Sequence, residues 1–402
     1  MNVLEYVKKN GVKHTLDIIY KYKIDIVVTK ILGLFLKNKP LQDIIVIESH
    51  NDFDSNGGAF YRYLVENGYN QKYKIVWLIK HPNEIPDKLP YNVECVKEYQ
   101  PDIKKDYYRW IAKWFSFDMN CGRKLRKDQI TIYQTHGSLG LKNCVGVINL
   151  PDNLDYCLVA SEYFAQFEAK QYSWEYPNDK FRFCGFPSHD VFYTAEPGDL
   201  HKITNEAYAK TVLWMPTFRK SVVGRCDGTN NQLLGIPLVT TAEEYFELNR
   251  YLEERNICLI IKLHPKQDLS EMKKLDATNI KVLTGDDVKK KGVDNYRLMK
   301  DCDALISDYS SVAHEFLHTQ KPVAYDFSDL SSYTRGIIVE DPHELIAGHE
   351  IRVFADLLKF IDNIANDVDP YKEQRAELFD RLFKYHDGNG SERVVNLLKL
   401  EK

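Results

Sequence analysis

The 402-residue chain has eight cysteines, at Cys95, Cys121, Cys144, Cys157, Cys184, Cys226, Cys258 and Cys302, but no C-x-x-C pair. Single scattered thiols lack the spacing of a zinc site. Several sit in apolar runs such as 156–161 (YCLVAS), so they read as buried, reduced thiols of a cytosolic protein. No G-x-x-x-x-G-K-[ST] string occurs, which excludes a P-loop enzyme. No cluster of His, Asp or Glu has metal-ligand spacing, so neither a metal nor another cofactor is expected. Positive charge is not in excess. A net charge of -4 argues against nucleic acid as a partner, because phosphate binding leaves a basic footprint. Long apolar runs are missing too. The longest early one, residues 24–36, is interrupted by Lys30 and falls short of the roughly 20 apolar residues that span a bilayer. No signal peptide is expected.

Charge is unevenly placed. Residues 1–40 hold eight lysines against Glu5, Asp17 and Asp25, a balance of +5 that leaves -9 for the remainder. Val12, Leu16, Ile19 and Tyr20 recur there at helical spacing. That is the pattern of a basic amphipathic helix suited to an anionic membrane surface; a solvated helix packed on the body is the bland alternative. From residue 41, apolar runs at 43–48, 74–79, 129–134, 156–160 and 181–186 alternate with helical stretches at 57–67, 103–115 and 163–171. After a polar stretch the alternation restarts, with strands expected at 211–215, 258–263, 280–283, 304–307 and 322–325 and helices at 242–255, 311–318 and 350–366. Apolar strands between helices mean parallel sheets covered on both faces. The expected division is a membrane-associating segment over 1–40, one Rossmann-like domain over 41–200, a second over 201–369, and two helices over 370–402 that could cross back to the first. Ligands of such sheets sit outside the carboxyl ends of the strands, so strand-end motifs carry the functional weight.

Four strand ends stand out. Residues 303–311 (DALISDYSS) read as a strand ending at Asp308 and a helix beginning within residues 310–311. Ser310 and Ser311 would cap that helix, and its amides would hold a phosphate; the bland reading is a plain cap. In 263–265 (LHP), His264 closes a strand and could donate to a phosphate or protonate a departing one, although a lone strand-end histidine is as often structural. Residues 215–219 (MPTFR) repeat the design: Pro216 and Thr217 follow a strand, and Arg219 suits bidentate phosphate recognition, where alone it would be a surface arginine. In 134–142 (QTHGSLGLK), His136 precedes Gly137 and Gly140, which let a ligand approach the backbone. This histidine is the candidate general base, against a merely hydrogen-bonded one, with His50 at the end of the first strand as second choice. Asp301–Asp303 resembles a metal-binding D-x-D element but lies at the wrong end of its strand, and Asp286–Asp287 reads as a solvated loop.

Taken together, these motifs resemble the CDP-glycerol glycerophosphotransferases of teichoic acid and capsule synthesis. That family's pattern has HGT…K, G-[YF]-P-x-x-D, PTWR-like, HP, DYSS and DG…SER elements. They stand here in order at 136–142, 185–190 (GFPSHD), 216–219, 264–265, 308–311 and 387–393 (DGNGSER). Ser138 stands for the usual threonine, Gly140 interrupts the usual P-L-K, Ser188–His189 replaces Arg-Asn, and His314–Glu315 stands where Phe-Asp is common. The resemblance implies a GT-B fold with two Rossmann-like domains facing a cleft, and a peripheral enzyme at the cytoplasmic face of the bacterial membrane. It implies CDP-glycerol, or a related CDP-alcohol, as donor, an undecaprenyl-linked glycan or polyol phosphate as acceptor, and release of CMP. It assigns catalysis to His136 and His264. Donor binding falls to Pro216, Thr217, Arg219, His264, Asp308, Ser310, Ser311 and Glu315, and acceptor binding to His50, Asn51, Gly137, Ser138 and Lys142. A ribitol-phosphate transferase, a nucleotide-sugar glycosyltransferase, a nucleotide-sugar 2-epimerase and a non-catalytic nucleotide-binding scaffold are the alternatives.

Overall fold

The computed structural model describes residues 7–8, 11–20, 24–100, 102–137, 139–217, 236–263, 275, 277–333 and 335–402. Arg219, His264 and Ser138 lie outside the described residues, as do parts of segment 1–40. The first sheet comprises β1 (Gln42–Glu48), β2 (Lys74–Ile79), β3 (Val93–Lys97), β4 (Ala112–Phe117), β5 (Ile130–Tyr133), β6 (Tyr156–Leu158) and β7 (Phe181–Arg182), ordered β3-β2-β1-β4-β5-β6-β7. The second comprises β8 (Lys210–Met215), β9 (Ile257–Lys262), β10 (Ile280–Leu283), β11 (Ala304–Ser307), β12 (Val323–Asp326) and β13 (His349–Ile351), ordered β10-β9-β8-β11-β12-β13. The strand pairs of both sheets are parallel. Both sheets therefore share the order 3-2-1-4-5-6, whose connections leave in opposite directions from the first and fourth strands and open a crevice there. Ile45, Ile47, Val76, Trp77, Leu213, Ile260 and Ile306 are fully buried, as continuous apolar strands sandwiched between helices must be.

Two expectations need correction. The stretch 103–115 is not one helix: the helix Ile103–Ile111 stops there, Ala112 turns to extended geometry, and β4 begins at once. No glycine or proline marks that break, and residues 112–117 (AKWFSF) satisfy either periodicity over a short window. Likewise residues 349–351 form the edge strand β13, and the helix expected from 350 starts at Phe354.

Near the N-terminus are α1 (Val12–Ile19) and α2 (Asp25–Leu36). The helix α2 docks on α4 (Ile103–Ile111), with α3 (Ser55–Glu66) lying between them in sequence. Asp25 bridges Lys105 at 2.8 Å and Arg109 at 3.0 Å, Thr29 donates to Asp106 at 3.0 Å, and Trp110 donates to the Thr29 carbonyl at 2.7 Å. Gly33 lets the helices meet, because a Cβ there would lie 2.4 Å from the Trp110 ring. The opposite face stays apolar and exposed: Val12, Leu16, Ile24, Val27, Ile31, Leu34 and Phe35, the last two 71% and 70% exposed. No helix among the described residues is long and apolar enough to cross a membrane.

The chain ends with α5 (Lys372–Leu382) and α6 (Gly390–Leu398). In α5, Arg375 donates to the Gln320 carbonyl of the second half at 3.0 Å. The helix α6 lies on the first half: Asp190 accepts from the Gly390 and Ser391 amides at 2.7 and 2.8 Å, and Trp114 of β4 donates to the Leu398 carbonyl at 3.1 Å. Motifs 185–190 and 387–393 therefore bind one another and fasten the chain end to the first sheet.

Candidate functional site

The carboxyl ends of the two sheets face each other across a cleft of about 1800 Å³. His50, Asn51, His136, Gly137, Gly140 and Lys142 line it from the first half, and Met215, Lys262, Ser310, Ser311 and Arg335 from the second. Pro216, Thr217, Asp308 and Glu315 are buried behind this wall. Asp308 accepts from the Thr217 amide at 2.7 Å and its hydroxyl at 2.6 Å, fixing the turns after β8 and β11 relative to each other. The helix after that turn starts at Val312, one residue later than expected, and Ser311 makes no side-chain cap bond to it. Its hydroxyl instead faces the first half.

On the first-half side, His136 follows β5 and its ring stacks on His50 with centroids 5.0 Å apart and planes 19° from parallel. Its Nδ1 lies 3.3 Å from the Asp118 carbonyl. A carbonyl only accepts, so Nδ1 carries the hydrogen and Nε2 keeps the lone pair. Desolvation by the surrounding protein holds the imidazole below its ordinary range, with the Asp118 carbonyl opposing. A neutral imidazole with an unshared Nε2 is what a general base requires.

Beneath this histidine lies a buried polar network that no motif announced. Glu48, the last residue of β1, accepts from the amides of Asp118, Met119 and Asn120 at 3.3, 3.1 and 3.0 Å and pairs with Lys80 after β2. Lys80 also donates to the Ser49 and His50 carbonyls. Asp118 accepts from the Gly57 amide at 3.1 Å; burial first, then the Glu48 charge, pushes its carboxyl well above the usual range. The cation Lys262, at the end of β9, was also missed. It projects into the cleft toward Asp54, and desolvation depresses its ammonium. The one available signal was its place at the end of an apolar strand, two residues before His264.

The two halves touch at the loop that follows β5. A Cβ on Gly140 would lie 2.6 Å from the Ser311 amide, and one on Gly137, whose φ is 156°, would lie 2.8 Å from Glu315 Oε1. His314 sets Nδ1 2.6 Å from the Leu139 carbonyl of the first half and Nε2 2.7 Å from the Leu345 carbonyl of the second. Lys142 forms an antiparallel bridge with Ile337, flanked by bonds from Asn143 N to Gly336 O at 3.1 Å and from Ile338 N to Leu141 O at 3.0 Å. The discounted aspartates are engaged elsewhere: Asp301 accepts from the Gly198 and Leu200 amides, Asp303 from Thr211, and Asp287 closes a capping box with Thr284. Among the described residues no three metal-ligating side chains converge.

The profile of the family described as CDP-Glycerol:Poly(glycerophosphate) glycerophosphotransferase matches residues 34–400. The teichoic acid glycerol-phosphate primase of Bacillus subtilis (strain 168) is 26% identical over 376 residues, covering 86% of this chain and 90% of that relative. The teichoic acid ribitol-phosphate polymerase TarK of Staphylococcus aureus is 30% identical over 193 residues, 46% of this chain and 33% of TarK. The structure of a histidine-to-alanine variant of the wall teichoic acid polymerase TagF superposes with a TM-score of 0.72 at 18% identity, covering 99% of this chain and 98% of that chain; a histidine-to-asparagine variant soaked with CDPG gives 0.70. The fold is thus the GT-B arrangement of two Rossmann-like units.

Proposed function

The chain belongs to the CDP-glycerol:poly(glycerophosphate) glycerophosphotransferase family, transferases of glycerol phosphate from CDP-glycerol in teichoic acid synthesis, and on that premise we propose how this chain performs the transfer and on what acceptor. The donor lies against the second half, with its diphosphate near Ser310, Ser311 and Lys262; Arg219 and His264 are assigned to it from sequence. The acceptor hydroxyl approaches between His50, Asn51, Gly137 and Lys142. His136 Nε2 takes the hydroxyl proton as the oxygen attacks the phosphorus bearing glycerol. The bond to the CMP oxygen breaks, and CMP leaves with the displaced electron pair. Cations and amides aimed at the diphosphate stabilise the developing charge.

The acceptor is a lipid-linked glycan or polyol phosphate at an anionic membrane. The exposed apolar face of α1 and α2, flanked by lysines such as Lys13, Lys30 and Lys37, is the geometry of a helix pair seated at the bilayer interface. The observation that carries the catalytic reading is the His50–His136 stack, with Nδ1 of His136 held and Nε2 turned to the cleft. Turnover of CDP-glycerol with an undecaprenyl-linked disaccharide, measured as CMP release, is the test. Release with a soluble sugar alone, or tighter calorimetric binding of a UDP-sugar than of CDP-glycerol, would move the protein to another substrate class.

A further inference from the structure

The residue before the base is strained. Thr135 has φ 55°, the left-handed region, which a β-branched side chain occupies only when its surroundings force it. The force comes from Asn56, which is fully buried at the start of α3. Its amide nitrogen donates to the carbonyls of Gln134 at 3.0 Å and Thr135 at 2.9 Å. Its oxygen accepts from the amide of Ser188 at 3.0 Å and the hydroxyl of Ser188 at 2.7 Å. All four hydrogen-bonding positions of one side chain are filled. The next residue, Gly57, holds the Asp118 carboxyl, and the Asp118 carbonyl holds His136 Nδ1. Consecutive residues of α3 thus grip the base from both sides, one through the backbone that precedes it and one through the ring.

We propose that Asn56 is the positioning residue of His136: by holding Thr135 in a left-handed turn it aims the imidazole at the acceptor hydroxyl, with Ser188 fixing the Asn56 amide. The proposal rests on the reading of His136 as the base, and it predicts a specific non-additivity. Asn56→Ala lets Thr135 relax and swings the ring, so kcat falls by roughly 10²-fold, the cost of about 1 Å of misplacement. The Kd for CDP-glycerol, read by calorimetry, stays unchanged. Glycine adopts φ 55° without restraint. In a Thr135→Gly background the same Asn56→Ala substitution therefore costs less than about tenfold, a coupling of the size contacting residues show. The NMR titration of the His136 ring moves in Asn56→Ala and returns toward wild type in the double variant. Should Asn56→Ala fold poorly, Ser188→Ala removes one partner and gives a smaller loss with the same suppression. Equal losses in both backgrounds, a donor Kd that weakens with kcat, or an unmoved His136 titration overturns the proposal. The base assignment fails separately, through a His136→Ala variant that keeps wild-type kcat.

Discussion

The two halves have the same strand order, and each places an aspartate one residue past its fourth strand: Asp118 after β4 and Asp308 after β11. What surrounds the aspartate differs. In the first half Asp118 takes the Gly57 amide at the start of α3, where such folds receive phosphate, and the crevice is packed with Glu48 and Lys80. In the second half Asp308 is turned back onto Thr217, and Ser310, Ser311 and Lys262 face the cleft. One half fills its crevice with its own side chains and presents histidines; the other keeps a cation and hydroxyls at the cleft. Topology sets where a ligand can sit, and the filling of the crevice leaves the second half as the more open of the two, in keeping with the donor side proposed above.

The sharpest way to break this contrast is His136→Ala. Loss of a general base would lower kcat by roughly 10²–10⁴-fold, while calorimetry should show an unchanged donor Kd, since the proposed donor contacts lie in the other half. A near-wild-type kcat would transfer the role to His50. Gly140→Ala tests the contact between halves: its Cβ meets the Ser311 amide and the Tyr309 carbonyl, and a shift of about 1 Å should lower kcat by roughly 10²-fold together with a fall in Tm.

A third test concerns a buried carboxyl of the first half. Burial pushes Glu168 from 4.5 up to about 7. A group whose folded value is raised contributes stability that is complete below its unfolded value and is lost as pH climbs through the folded one. Between pH 4.5 and pH 8 the wild type should therefore lose on the order of 3 kcal/mol at this site. Glu168→Gln should be the more stable protein at pH 8 by denaturant unfolding, with the advantage gone by pH 5. A gain that does not vary with pH would refute the linkage.

Smaller effects are expected at the edges. Phe35→Glu should weaken co-sedimentation with phosphatidylglycerol vesicles by about tenfold or more, and added salt should weaken the wild type through its lysines, each near-surface lysine contributing roughly 1 kcal/mol. Arg62→Ala removes a half-exposed ion pair to Asp294 across the halves (3.5 Å) and should cost less than about 1 kcal/mol.

Much of this was legible in the sequence, and the exceptions have physical causes. Apolar strands such as residues 74–79 and 304–307 announce themselves because burial on both faces leaves no room for polar residues. Strand β4 escaped because it follows a helix without a breaker and its Lys113 and Ser116 imitate a helical surface. With β4 went Asp118, and with Asp118 the network beneath His136. Glu48 and Lys80 lie 32 residues apart in sequence, and Asn56 lies 132 residues from Ser188; no local spacing encodes such pairs. The strand-end histidine His136 was found because its location follows from topology alone, whereas the positive φ of Thr135 has no compositional signature at a β-branched residue.

The bridge between Lys142 and Ile337 has a mechanical meaning. It lies toward the β5 and β12 sides of the two sheets, whereas the Arg62–Asp294 pair lies toward β1 and β10. Backbone bonds secure one side, and side-chain ion pairs such as Arg62–Asp294 lie on the other. A rotation that opened the cleft would have to break backbone hydrogen bonds on the β5 and β12 side, whereas at Arg62 and Asp294 it would part only a solvent-screened side-chain contact.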